Sequence, residues 1–222
     1  MKYKAVIFDM DGTVVDTGTI WDQATRTVIQ NRGVTISPEL NIELKNKLNG
    51  LALPQSCLVI KELTNCPKSI EEIMQEKTAI ALSLYQQGVN LIHGFTDLHA
   101  KIKELNLKIG LATNANDATL AETKRALKLE QFFGIHLYGI SHVNMIGKPN
   151  PAIYLYAAEQ LEVAAHECIA IEDSAHGIKA AKAAGMLCIG ITTSKNPLQT
   201  QEADLIIDNY HELDIHKLIF AK

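Results

Sequence analysis

Four short apolar runs decide most of what this chain can become: residues 4–8, 108–112, 168–171 and 187–191. Runs of this length, nearly free of polar residues, are the pattern of strands buried on both faces. Weaker runs at 136–140 and 204–208 extend the series. From about residue 91 onward, helical patterns with recognisable ends lie between them. Asn116 can cap a helix that runs to about Leu127, and Asn150-Pro151 offers a capping residue with proline at the first helical position. Ser174 opens a helix over 175–184 that Gly185 closes in a left-handed conformation. Strand and helix in alternation predict an α/β fold, a Rossmann-like doubly wound parallel sheet.

Residues 17–90 break this rhythm. They contain no strand-like run, and read instead as helices over 21–31, 38–49, 55–63 and 69–87, punctuated by Gly33, Gly50, Pro54, Pro67 and Gly88. A first strand followed by about 70 helical residues, after which the sheet resumes, predicts an all-helical cap inserted into one core. The expected boundaries are 1–16 and 91–222 for the core and 17–90 for the cap.

Composition removes several alternatives. With 222 residues, 47% apolar and 21% charged, the chain can bury a full core and is not disordered. A formal charge of −4 with scattered basic residues gives no footprint for nucleic acid or an anionic membrane. No apolar run reaches the length of a membrane span, and the start has no signal-peptide pattern. Cys57, Cys66, Cys168 and Cys188 form no CxxC pair, which fits a reducing compartment and a cytoplasmic protein.

In open parallel sheets, functional groups sit just beyond the carboxyl ends of the strands. After the first strand comes Asp9-Met10-Asp11-Gly12-Thr13, and after the second Thr113-Asn114. After the run at 168–171 comes Glu172-Asp173-Ser174, and Lys148 precedes the helix that follows Pro151. Each has an ordinary structural reading on its own: a turn acid, a helix cap, a surface lysine. Their convergence on one sheet edge is more informative, because such groups are rarely buried unless paired. Asp9, Glu172 and Asp173 are hard oxygen ligands suited to Mg²⁺. Lys148 and the helix starts at Asn116 and Ser174 favour an anion. Together they describe a phosphoryl-transfer site.

These segments resemble the four motifs of the haloacid dehalogenase (HAD) superfamily. Asp9-Met10-Asp11-Gly12-Thr13-Val14-Val15-Asp16 is similar to its DxDGTxxD motif, and Leu111-Ala112-Thr113-Asn114 to its second. Gly147-Lys148-Pro149 is similar to the lysine motif, and Ile171-Glu172-Asp173-Ser174 to the acidic one. The likeness spans nearly the whole chain, and the helical insert corresponds to a C1-type cap, as in the phosphatase and β-phosphoglucomutase-like subgroup. The resemblance implies a Mg²⁺-dependent phosphatase acting on a small phosphorylated metabolite, as a monomer or homodimer, with Asp9 as nucleophile and Asp11 as general acid and base. It further implies that Thr113 and Lys148 hold the transferring group, and that Asp9, the Asp11 carbonyl and Asp173 hold the metal, with Glu172 direct or through water.

Substrate contacts are expected from Thr113, Asn114, Lys148, Trp21, Asn49 and Gly50. A β-phosphoglucomutase-like activity is the alternative, weakened by Trp21 at the start of the cap and by Asn49 and Leu53, where mutase-like members carry histidine, lysine and arginine. Asp11 argues against dehalogenation, whose leaving halide needs no proton. No cap lysine is singled out for Schiff-base chemistry. A receiver domain that phosphorylates an aspartate would be shorter, would place its acidic pair and phospho-acceptor in a different order, and would lack the insert. The sequence also lacks a P-loop, a GxGxxG after the first strand, and a zinc-like histidine pair.

Overall fold

A computed structural model describes residues 1–48, 51, 53–194 and 196–220. Six strands form one parallel sheet: β1 (Ala5–Phe8), β2 (Lys108–Ala112), β3 (Leu137–Tyr138), β4 (Cys168–Glu172), β5 (Leu187–Ile191) and β6 (Leu205–Ile207). Their order is β3-β2-β1-β4-β5-β6, with every neighbouring pair parallel. The chain leaves β1 toward one edge and returns to β4 on its other side. The crevice at the carboxyl end of β1 is therefore the topological switch point, where open α/β sheets bind ligands.

The central strand shows why the fold is two-sided. Side chains alternate along a strand, so Val6 and Phe8 enter one apolar layer while Ala5 and Ile7 enter the other. All four are fully buried, and burying a side chain the size of Val, Ile or Phe stabilises by about 1.5–3 kcal/mol. The first layer holds α5 (Phe95–Glu104), α7 (Glu130–Phe133) and α11 (Ile215–Phe220). There Phe8 meets Phe95 edge-on at a centroid distance of 5.4 Å. The second layer holds α8 (Ala152–Gln160) and α9 (Ala175–Ala183). The helices α6 (Asp117–Leu127) and α10 (Pro197–Thr200) complete the core.

Between β1 and α5 the described residues form four helices: α1 (Gly18–Gln30), α2 (Pro38–Leu48), α3 (Leu53–Thr64) and α4 (Ile70–Tyr85). They enclose their own apolar cluster of Val28, Ile29, Leu44, Cys57, Ile60 and Ile73. This is the expected Rossmann-like α/β core with a helical cap.

Helix ends follow local chemistry. Asn116 accepts from the Thr119 N–H at 2.9 Å, Ser174 accepts from the Gly177 N–H at 3.1 Å, and Gly185 takes φ +80°. Ser69 and Glu72 form a capping box, so α4 starts at Ile70 rather than at 69. Pro151 stands at the N-cap of α8, one position earlier than expected; the Asn150 side chain still accepts from the Ala152 N–H at 3.0 Å. The helix α5 follows Gly94, whose φ of +83° replaces the usual side-chain cap and leaves no capping signature in the sequence. The run at 136–140 narrows to the two-residue β3, because Gly139 already leads into a 3₁₀ turn. Among the described residues, no helix is long and apolar enough to cross a membrane.

Candidate active site

The ladder itself delivers Asp9. Its N–H donates to the Ile171 carbonyl at 3.0 Å, prolonging the β1–β4 pairing by one residue and placing the carboxylate at the switch point. The chain then turns sharply. The Met10 carbonyl accepts from both Val14 and Val15 N–H groups at 2.9 Å, and the Gly12 N–H donates to Val15 at 2.8 Å. Gly12 has φ +80°, and a Cβ there would lie 2.3 Å from Asp173 Oδ2. Only glycine satisfies both the backbone and the approach of that carboxylate.

Lys148 reaches into the same point, 3% exposed. Its ammonium donates to Asp9 Oδ1 at 2.5 Å, Glu172 Oε1 at 2.6 Å and the Ala112 carbonyl at 2.9 Å. Asn114 holds the lysine backbone, its Oδ1 accepting from the Lys148 N–H at 2.9 Å. That bond fixes the amide, and its buried Nδ2 has no partner among the described residues. Thr13 Oγ1 is likewise buried and unpartnered. Both would be satisfied by an oxygen-rich ligand. The Thr113 hydroxyl, also buried, accepts from the Ala115 N–H at 3.0 Å and keeps its own proton to donate.

Glu172 differs from its two acidic neighbours. Oε1 accepts from Lys148 and from the Tyr154 hydroxyl at 2.8 Å. Oε2 accepts from the Asp173 and Ser174 N–H groups at 3.1 and 3.2 Å, and from the Ser174 hydroxyl at 3.0 Å. Gly177 makes room for it, since a Cβ there would lie 1.7 Å from Oε1. No described group donates to the Asp173 carboxylate or to Asp9 Oδ2, so these oxygens remain available.

The electrostatics point the same way. Burial first, then the Glu172 carboxylate, push Asp9 up to about 8 against the pull of Lys148. Burial and the Asp9 and Glu172 charges hold Asp173 well above the ordinary aspartate range. Burial works against the Lys148 ammonium, but the Asp9 and Glu172 carboxylates overcome it and keep the lysine charged. Ligand oxygens of Asp9, Glu172 and Asp173 lie within 4.8 Å of one another. Carboxylates crowded this closely repel unless a cation joins them, so the donor set fits a hard divalent ion.

Asp11 leans toward the cap. Its Oδ1 accepts from the Thr17 hydroxyl at 2.6 Å, the Trp21 indole N–H at 3.1 Å and the Tyr85 hydroxyl at 3.4 Å. Burial raises its pKa, while Thr17 and Trp21, the stronger of these donors, pull it back.

The structure thus brings Asp9, Asp11, Thr113, Asn114, Lys148, Glu172 and Asp173 to one sheet edge, with Trp21 above it. Asn49 and Gly50 lie outside the described residues. Sequence reasoning missed Tyr154, Tyr85 and Lys77. The last two share a signal that was there to read: Ile73, Lys77, Ala81 and Tyr85 recur every four residues, so both polar side chains fall on the buried stripe of α4.

The sequence model of the family described as haloacid dehalogenase-like hydrolase matches residues 6–191. The chain belongs to this family. A phosphorylated carbohydrates phosphatase of Thermotoga maritima is 32% identical to it over 197 residues, covering 87% of each chain. A β-phosphoglucomutase of Bacillus subtilis is 30% identical over 221 residues, covering 94% of each. Among solved structures, a HAD hydrolase of family IA, variant 3, from Entamoeba histolytica superimposes with a TM-score of 0.85 at 25% identity, covering 97% of each chain.

Proposed function

We propose that this HAD-family chain is a Mg²⁺-dependent phosphatase that hydrolyses a small phosphomonoester, a sugar phosphate or similar metabolite, through an aspartyl-phosphate on Asp9. One observation carries the reading. Asp9 has one oxygen held by Lys148 and the other open, while a second carboxyl, Asp11, stands two residues away.

In the first step Asp9 Oδ2 attacks phosphorus, the bond to the leaving oxygen breaks, and Asp11 gives that oxygen its proton. In the second, water attacks the phosphoryl group, Asp11 takes its proton, and the acyl-phosphate bond breaks to free inorganic phosphate and Asp9. Lys148, Thr113 and Asn114 neutralise or donate to the phosphoryl oxygens. Asp9, Asp173 and the Asp11 backbone carbonyl would hold Mg²⁺, which supplies charge neutralisation when bound. Glu172, with both oxygens filled by protein donors, fits a role behind them, reaching the ion through water. Residues 17–90 serve as a C1-type cap that closes over the site, hinged near Thr17 and residues 90–94. The enzyme is read as cytoplasmic, a monomer or homodimer.

A mutase reading is favoured by the likeness to the Bacillus subtilis enzyme. The test is phosphate release from a panel of phosphomonoesters, with Mg²⁺ or EDTA, for the wild type and Asp9→Asn. Turnover that needs Mg²⁺ and disappears in the variant supports the phosphatase. Turnover that survives Asp9→Asn refutes the nucleophile. Phosphate moved within a sugar phosphate, without release, would decide for the mutase.

A further inference from the structure

Three hydrogen-bond donors converge on one oxygen of Asp11, and two of them come from the cap. Thr17 donates at 2.6 Å from the junction, Trp21 at 3.1 Å from α1, and Tyr85 at 3.4 Å from the end of α4. No described donor reaches the other oxygen, Oδ2. A carboxyl oxygen that already accepts three donors has no lone pair left for a proton of its own. We infer that Trp21 and Tyr85 are positioning residues for Asp11: with Thr17 they fill Oδ1 and reserve Oδ2 as the oxygen that passes the proton to and from the substrate.

The indole is itself held from behind. The Lys77 ammonium lies 5.7 Å from its ring centroid, within cation–π range. Lys77 is only 4% exposed, and its one hydrogen bond among the described residues goes to Ser56 Oγ at 3.0 Å. A cation over the face of an indole draws electron density from the ring and strengthens the N–H as a donor. The buried lysine therefore has a structural reason to sit where no described carboxylate pairs with it. This arrangement differs from a substrate contact, because the polar atom of Trp21 is already committed to Asp11.

The inference rests on Asp11 acting as general acid, and its test separates the two ideas. p-Nitrophenyl phosphate has a leaving group that needs no proton, whereas an alkyl ester such as glycerol 2-phosphate does. For Trp21→Phe, kcat/KM on the alkyl ester should fall by at least about tenfold, in keeping with the usual size of general-acid catalysis. On the aryl ester it should stay within about threefold, and KM for the alkyl ester should hardly change. Tyr85→Phe should act in the same direction with a smaller effect, matching its longer bond. Equal losses on both esters, or a rise in KM alone, would overturn the positioning role.

A second arm needs no turnover. Trp21 is the only tryptophan in the chain, so its emission reports the contact directly. Removing the acceptor in Asp11→Ala should shift that emission in a protein whose circular dichroism is unchanged. Identical emission would show that the indole does not bind Asp11 in solution, and would refute the inference. If the wild type hydrolyses neither ester, the phosphatase reading fails while the emission still decides the contact.

Discussion

Replacing Lys77 by methionine should stabilise the protein, and the gain should shrink as the pH rises. Lys77 is buried, hydrogen-bonded only to Ser56 among the described residues, and unpaired with any described carboxylate. Burial lowers its pKa from 10.5 to about 8. The unfolded chain therefore binds the proton more tightly than the folded one. Folding carries the full penalty below about pH 8 and sheds it as the pH climbs from there through 10.5. At about 1.4 kcal/mol per tenfold change in affinity, the penalty at pH 7 is about 3 kcal/mol, and roughly 1 kcal/mol of it remains at pH 10.

Methionine keeps the length of the stem and removes the charge. The Ser56 hydroxyl still donates to the Leu53 carbonyl at 2.9 Å, so it is not orphaned. Losing the lysine's own hydrogen bond costs about 1 kcal/mol and losing its contact with the Trp21 ring about 0.5–1 kcal/mol, which leaves a net gain of about 1 kcal/mol at pH 7. Urea unfolding of both proteins at pH 7 and pH 10, followed by Trp21 emission, measures this. The variant's advantage over the wild type should fall by about 2 kcal/mol across that range. A gap that ignores pH, or a methionine variant less stable at pH 7, would refute the reasoning. The same variant should lose activity on the alkyl ester while gaining stability.

Other consequences are simpler to state. Millimolar Mg²⁺ should raise the melting temperature of the wild type by relieving the repulsion among Asp9, Glu172 and Asp173, and Asp173→Asn should lose most of that rise in a thermal-shift assay. Gly177→Ala would drive a methyl into Glu172 Oε1, so a loss of at least about 2 kcal/mol by denaturant melts is expected, together with loss of turnover. Tyr154→Phe removes one donor from that same oxygen, and should cost about 1 kcal/mol of stability and lower kcat more than it raises KM.

Four strands were legible because each is a nearly pure apolar run, and Asp9, Thr113 and Glu172 because each begins where such a run stops. Phe8 gives way to Asp9, Ala112 to Thr113, and Ile171 to Glu172, so polarity alone marks the sheet edge. The helical insert was legible from its turn residues and its lack of β-branched runs. What the sequence hid is tertiary. Nothing local says that Tyr154, six residues past Lys148, turns its hydroxyl back to Glu172, or that the indole of Trp21 spends its only polar atom on Asp11. The α5 helix hid for a different reason: a glycine in a left-handed conformation opens it, where a serine or asparagine would have announced it. Lys77 was hidden by its type. A lysine reads as solvated surface until its spacing with Ile73 and Ala81 is counted.

These residues divide the chemistry between two parts of the fold. In the proposed mechanism the groups that would meet the phosphoryl group come from strand ends and loops of the core, Asp9 held by Ile171 and Lys148 by Ala112 and Asn114, with Glu172 held behind them at the start of α9. Asp11, the group proposed to meet the leaving oxygen, also belongs to the core, yet two of its three described donors belong to the cap. An alteration at Asp9, Thr113 or Lys148 should thus act on every ester alike, since all present the same phosphoryl group. An alteration at Trp21, Tyr85 or Lys77 should act in proportion to how much the leaving group needs a proton. A buried ammonium with no counter-charge among the described residues costs the cap stability. What it supplies is a hold on the Trp21 indole and through it on Asp11, which an apolar side chain in its place would not give.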